Sequence, residues 1–167
     1  MNYVIRQLGV TDAEAYRRVR LDALRLHPEA FGASYEDEAR LDMAQIAERL
    51  AVPELVRFGG FAQAELVGLA GVQLPNGAKE RHKAHLFSMY VDAAHRGGGL
   101  ARRLVETVID RARDRGALLL DLTVTVGNSS AQRLYRRMGF MVYGTERRGL
   151  KVGDRFYDQE LMVLDLD

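Results

Sequence analysis

The chain has 167 residues, 47% hydrophobic and 28% charged, with 24 Lys and Arg against 23 Asp and Glu and a net charge of +1. That length suits one domain, residues 1–167, with a real core, and the near-zero charge argues against a whole-molecule attraction to nucleic acid or a membrane. Cysteine is absent, which excludes disulfides, thiolate metal sites and a cysteine nucleophile; no apolar run approaches the ~18 residues of a membrane span, and Met1-Asn2-Tyr3-Val4-Ile5-Arg6 lacks the apolar run of a signal peptide, so a cytoplasmic location is expected.

Residues 3–8 read as a first strand. Thr11-Asp12-Ala13-Glu14 has the spacing of a capping box, and the helix behind it carries Tyr16, Val19, Ala23 and Leu26 at helical intervals before His27-Pro28 ends it. Residues 29–41 read as a loop, and 43–51 as a second helix stopping before Pro53. A hairpin is expected from 56–63 and 65–74, a turn at Pro75-Asn76-Gly77, and a further strand over 82–91. Beyond three glycines, Leu100, Leu104, Val105, Val108, Ile109 and Ala112 form a clear apolar stripe. Residues 117–126 read as a strand whose start, Leu118-Leu119-Leu120, suggests burial on both faces. A short helix over 129–138 ends at Gly139, and 140–150 with 155–166 make a closing hairpin. The order β-α-α-β-β-β-α-β-α-β-β predicts an α/β (α+β) domain, with about seven mostly antiparallel strands in a mixed central sheet and about four helices.

The segment His95-Arg96-Gly97-Gly98-Gly99-Leu100-Ala101-Arg102 joins the end of a strand to the start of a helix. Glycines there strip side chains from a helix N-terminus, where free N–H groups and the dipole favour an anion. The nucleotide-hydrolase phosphate loop is ruled out because no Gly-Lys pair follows, and Arg102 stands where a dinucleotide fingerprint needs its third glycine. By itself the segment is either a phosphate site or a turn that merely lets a strand meet a helix.

One strand downstream lies Asn128-Ser129-Ser130-Ala131-Gln132-Arg133-Leu134-Tyr135-Arg136-Arg137-Met138-Gly139-Phe140. Together the two segments resemble the GNAT N-acetyltransferase superfamily. Arg96-Gly97-Gly98-Gly99-Leu100-Ala101 fits that family's pyrophosphate pattern [RQ]-x-x-G-x-[GA]. Asn128, Ala131, Leu134, Tyr135, Arg137, Gly139 and Phe140 fit its N-x-x-A-x-x-[LF]-Y-x-[KR]-x-G-F pattern. The matching region, 86–140, is about a third of the chain.

The resemblance implies acetyl transfer from acetyl-CoA to an amine by direct attack in a ternary complex. It assigns the pyrophosphate to the amides from Gly97 to Ala101 with Arg96 and Arg102 beside them, the pantetheine arm to backbone groups of Met89 and Val91, and an oxyanion donor to a bulge near Met89. Tyr135 takes the family's place for protonating the departing thiolate; its i, i+3, i+4, i+7 stripe with Ala131, Leu134 and Met138 equally suits a core residue. Asn128 suits a helix cap as well as a cofactor contact. His85, six residues before Val91, is the first candidate for the base that deprotonates the amine, with His82 behind it. No carboxylate or second ligand is spaced with them for metal binding, so no metal is expected.

For the acceptor, Glu36, Asp37 and Glu38 in the first loop and Asp158 and Glu160 on the last strand suit a cationic amine, or are simply a solvated acidic surface. Phe31, Tyr35 and Tyr157 suit pocket walls, and residues 20–32 resemble a bacterial subgroup of the family with unassigned acceptors. A small-molecule amine is favoured over a protein, and the family resemblance admits a homodimer. The alternative is a non-catalytic acyl-CoA-binding module of the same fold. Arg133, Arg136 and Arg137 make too short a basic patch to imply a nucleic-acid partner.

Overall fold

The computed structural model describes residues 1–167. One sheet contains β1 (Tyr3–Gln7), β2 (Leu55–Ala62), β3 (Glu65–Gln73), β4 (Lys83–Val91), β5 (Leu119–Thr125), β6 (Met141–Val152) and β7 (Arg155–Asp165), in the spatial order β1-β2-β3-β4-β5-β7-β6. Every neighbouring pair is antiparallel except β4 and β5, which run parallel. The helices are α1 (Ala13–Leu26), α2 (Tyr35–Ala39), α3 (Met43–Leu50), α4 (Leu100–Asp114) and α5 (Ser129–Arg137). This is the expected mixed, mostly antiparallel α/β sheet, with one helix more than expected.

The extra helix, α2, falls in the segment read as a loop. Five residues are too few to show an apolar period. Its start is nevertheless well made: Ser34 Oγ accepts from the Asp37 N–H at 3.1 Å, and Glu36, Asp37 and Glu38 sit at the positive end of the helix dipole. The capping box expected at Thr11 and Glu14 does not form. Asp12 instead accepts from the Gly9 N–H at 2.9 Å and from both Arg6 nitrogens at 2.8 and 2.9 Å. A reciprocal box appears at α3, between Asp42 and Gln45.

Residues of β3 enter two cores, and a bulge at Val67, where Gly60 pairs with Gly68 but Phe61 with Leu66, shifts the alternation by one residue. Val67, Ala70 and Val72 join the larger cluster under α4, while Leu66 and Leu69 join Tyr16, Val19 and Leu24 of α1 and Ile46 and Leu50 of α3. The predicted α4 stripe is buried at every position. Gly60 and Gly68 admit its first turn, since a Cβ on Gly60 would stand 2.6 Å from Leu100 Cδ1 and one on Gly68 would stand 3.1 Å from Leu104 Cδ1. Bare backbone on β2 and β3 thus seats the N-terminus of α4 close to the sheet.

Two burial expectations fail. Leu26 is 51% exposed because it lies about 200° around the helix from Leu24, which takes the core position. Leu118 is 49% exposed while Leu120 is fully buried, so the start of β5 alternates between faces. No helix is long and apolar enough to cross a membrane.

The buried face of α1 also includes a charge. Arg20 is 8% exposed, forms no hydrogen bond or ion pair, and has a fully enclosed Nη1 without a partner. An unpaired buried cation works against folding. Arg20→Met keeps the apolar stem and removes the charge, and is expected to stabilise the fold by about 1–3 kcal/mol in urea denaturation.

Candidate active site

The site begins where two strands part. β4 and β5 pair only at Lys83↔Leu119, Ala84↔Leu120 and His85↔Asp121, yet β4 continues to Val91 and β5 to Thr125. The backbone edge of β4 from Leu86 onward therefore lacks β5 as a ladder partner. On its other edge Phe87 pairs with Gly71 and Tyr90 with Leu69, leaving Ser88 and Met89 opposite Ala70. This is a bulge, and Ser88 carries its strain with a φ of 55°. It falls where the sequence places a splay near Met89.

Beyond Val91, Asp92 accepts from the Ala94 N–H at 3.0 Å and starts a single 3-10 turn. Gly97 and Gly99 then take φ values of 79° and 82°, left-handed conformations that glycine adopts without penalty. The N–H groups of Gly97, Gly98, Gly99, Leu100, Ala101 and Arg102 donate to no group of the protein. Six free amides in sequence at the positive end of a 15-residue helix are an arrangement suited to an anion.

The arginines around it are differently placed. Arg96 Nε donates to the Val91 carbonyl at 3.0 Å and Nη2 donates to His27 Nε2 at 3.0 Å, leaving other donors of the fork free. Arg102 is exposed and donates to Glu106 at 2.8 Å. Arg103 is tied to the Tyr3 carbonyl at 3.0 Å. The Tyr3 hydroxyl lies 3.3 Å from His95 Nδ1, and a Cβ on Gly98 would stand 3.2 Å from it.

On the β5 side, Gly127 turns the chain with a φ of 98° and Asn128 caps α5, accepting from the Ala131 N–H at 3.4 Å. Tyr135 is 4% exposed, joins the same buried cluster as Leu86, Val91 and Leu100, and stands edge-on to Phe140 at 5.7 Å. Its hydroxyl has no hydrogen-bond partner in the protein and yet is not fully enclosed. Burial pushes its pKa well above the ordinary value, so the phenol holds its proton. Tyr135 is thus a core ring, as one of its two expectations has it, with a protonated hydroxyl that no protein group engages.

His85 is partly exposed, and its Nδ1 is hydrogen-bonded to the Asp121 carboxylate. The carboxylate can only accept, so Nδ1 donates and a neutral ring leaves Nε2 as an acceptor. The sequence offers no carboxylate spaced with His85; parallel pairing brings one from 36 residues away. The signal available beforehand was an acid inside the apolar run Leu118-Leu119-Leu120-Asp121-Leu122. No cluster of three metal-ligating side chains forms around the pair.

A cavity of about 450 Å³ opens between the end of α1 and the tip of the β6–β7 hairpin. Tyr35, Glu36, Phe31 and Leu24 line one side and residues 150–153 the other. The chain between its lining residues Arg25 and Phe31 also touches the parted strands: His27 meets Tyr90 at 6.1 Å, and Thr125 Oγ1 at the end of β5 donates to the Glu29 carbonyl at 2.7 Å. The acidic acceptor patch does not assemble here. Asp158 accepts from the Arg148 N–H at 2.8 Å within the hairpin, Glu160 is held by Arg136 at 2.9 and 3.0 Å, and Glu38 by Arg49 at 2.9 Å. Only Glu36 of the five acids lines the cavity; Asp37 is exposed, 3.8 Å from Arg40.

A parted parallel strand pair, a bulge beside the opening and a helix N-terminus with free amides offer an unpaired strand edge next to a place suited to an anion. The profile of the acetyltransferase (GNAT) family matches residues 20–140, and the chain belongs to that family. An uncharacterized N-acetyltransferase of Mycobacterium bovis is 32% identical over 134 residues, 80% of this chain and 81% of the relative. The L-methionine sulfoximine/L-methionine sulfone acetyltransferase of Pseudomonas aeruginosa is 37% identical over 81 residues, 48% of this chain and 46% of that protein. The chain thus spans about half the length of some curated relatives it matches. Among solved structures, a GNAT-family acetyltransferase from Streptococcus pneumoniae superposes with a TM-score of 0.84 at 23% identity, covering 99% of this chain and 100% of the other. An acetyltransferase from Salmonella typhimurium described with its cofactor acetyl-CoA gives 0.80 at 24% identity, covering 100% and 95%. These structural likenesses concern the fold.

Proposed function

We propose that this chain, acting as one domain over residues 1–167, transfers the acetyl group of acetyl-CoA to the primary amine of a small molecule by direct attack in a ternary complex. The observation that carries this is the row of six free amides at the head of α4, set beside the opening between β4 and β5. These groups fit a diphosphate and a peptide-like arm, and they have no other employment in the chain. The sulfoximine and sulfone acetyltransferase relative supports a small-molecule acceptor.

Acetyl-CoA supplies a thioester whose acyl carbon gains a C–N bond as its C–S bond breaks and the thiolate leaves. The amides of residues 97–102, with the free donors of Arg96, hold the diphosphate. Backbone groups of Met89 and Val91 hold the pantetheine arm, and an N–H at the bulge steadies negative charge developing on the acyl oxygen. His85, oriented by Asp121, accepts the ammonium proton before attack. Tyr135 gives its proton to the departing sulfur; a phenol with pKa about 10 or higher is a competent donor to a thiolate whose acid is near 8.5.

The test is calorimetric titration with acetyl-CoA, CoA and ATP, followed by free-thiol detection across an amine panel. Binding of acetyl-CoA and CoA but not ATP, with thiol release on adding an amine, is the expected result. Binding without turnover of any amine would instead favour a non-catalytic acyl-CoA module.

Asp121→Asn is expected to lower kcat about tenfold or more while leaving acetyl-CoA affinity unchanged. In a His85→Ala background the same substitution should cost little further, since the carboxylate acts through the ring. Additive losses would give Asp121 a role independent of His85.

A further inference from the structure

We propose that Arg20 recognises a carboxylate on the acceptor, which makes the acceptor an amino acid or another amino-carboxylate. The inference rests on the acetyl-transfer reading and goes beyond it by naming the substrate's second functional group.

Two arginines are buried in this protein, and they are satisfied differently. Arg57, 9% exposed, donates to the Tyr16 hydroxyl at 3.2 Å, the Arg49 carbonyl at 2.8 Å and the Leu55 carbonyl at 3.1 Å. Arg20, 8% exposed, donates to nothing. Its Nη1 is the single enclosed side-chain nitrogen or oxygen of the chain without a partner, whereas Nε and Nη2 keep some open surface. A planar fork held in an apolar setting with all its donors unused matches a carboxylate that arrives from outside.

The position points to the acceptor cavity. Arg20 lies one turn before Leu24 on the same face of α1, and its guanidinium stands 5.1 Å from the Phe31 ring. Leu24 and Phe31 both line the cavity. Phe31 belongs to an irregular stretch, residues 31–34, so the ring that covers the guanidinium is outside any helix. The charged residues lining the cavity are Arg25, which is paired with Asp22 at 3.4 Å, Lys151 and Glu36. The nearby acid Glu38 is already engaged with Arg49 at 2.9 Å. Desolvation pulls the Arg20 pKa below its ordinary value, opposed by Tyr16 and Glu38, as suits a cation still short of a counter-ion.

This reverses the expectation of a cationic acceptor. Glu36 remains available for the acceptor's ammonium group, so the cavity offers both signs that a zwitterion needs.

The experiment compares the common L-amino acids with their carboxamides as acceptors, for the wild-type chain, Arg20→Gln and Arg20→Lys. The expected result is that at least one acid exceeds its amide in kcat/KM by about tenfold or more, because a site built for a hydrogen-bonding group rejects the analogue that lacks it. Arg20→Gln should bring that ratio near unity, Arg20→Lys should keep part of it, and acetyl-CoA affinity should be unchanged in all three. Amides used as well as acids, or a preference that survives Arg20→Gln, would overturn the proposal. So would turnover of spermidine alone, which leaves acetyl transfer standing. The second readout needs no turnover: the Arg20 Nε–H resonance of the wild-type chain, assigned by its loss in a folded Arg20→Lys chain, is followed while each amino acid is added. A saturable shift supports the carboxylate site even if acetyl-CoA fails to bind and the transfer reading falls. No shift with any of them overturns it.

Discussion

Gly99→Glu is expected to raise the acetyl-CoA dissociation constant by about a hundredfold or more. The substituted carboxylate would stand among the six free amides, against the diphosphate they are proposed to hold. Like charges about 4 Å apart repel by about 4 kcal/mol at an effective dielectric of 20, and each 1.4 kcal/mol is about tenfold in affinity. Gly99→Ala separates charge from backbone strain. A Cβ at Gly99 meets nothing within 4 Å, but the φ of 82° costs an alanine about 1–2 kcal/mol. Alanine should therefore weaken binding far less than glutamate, with both variants shown to be folded by circular dichroism. Equal and undiminished calorimetric affinities would leave the glycine turn purely architectural.

Tyr135→Phe is expected to lower turnover by about tenfold or more with little change in acetyl-CoA affinity. The substitution removes one oxygen from a ring that stays packed on Phe140 in the larger core. Since that oxygen has no partner in the protein, its loss leaves no buried group orphaned, and stability should change by less than about 1 kcal/mol. Equal turnover would return Tyr135 to a purely packing role. The raised phenol pKa also sets a sign for pH. Its contribution to stability is complete below about pH 10, the unfolded value, and is lost as the pH rises toward the folded one. Thermal unfolding of the wild-type chain should therefore fall above about pH 10 more steeply than that of Tyr135→Phe.

Much of this molecule was legible in the order of its residues, and the legible parts share a cause. The α4 stripe from Leu100 to Ala112, the glycine turn before it and the Asn128 cap on α5 are local patterns, each settled within a few turns of chain. The seven strands were legible through alternation and turn residues, and the family pattern rests on two such local segments. The short α2 was not legible, because five residues carry no period, and neither was the true partner of Asp12, where Arg6 and Gly9 outcompeted the expected box.

Local residue order sufficed for the seven strands, four of the five helices, the glycine turn before α4 and the family. The tertiary structure decided everything that depends on residues distant in the chain. It paired His85 with Asp121 across parallel strands, left Arg20 without a partner behind Phe31, tied the acids of the acceptor side to Arg49, Arg136 and the Arg148 N–H, and placed the β4 bulge beside the opening. The physical reason is one of range. Periodicity and capping act over three or four residues. Whether a charge finds a counter-ion or an amide finds an acceptor depends on which surfaces packing brings together, and sequence spacing does not encode that.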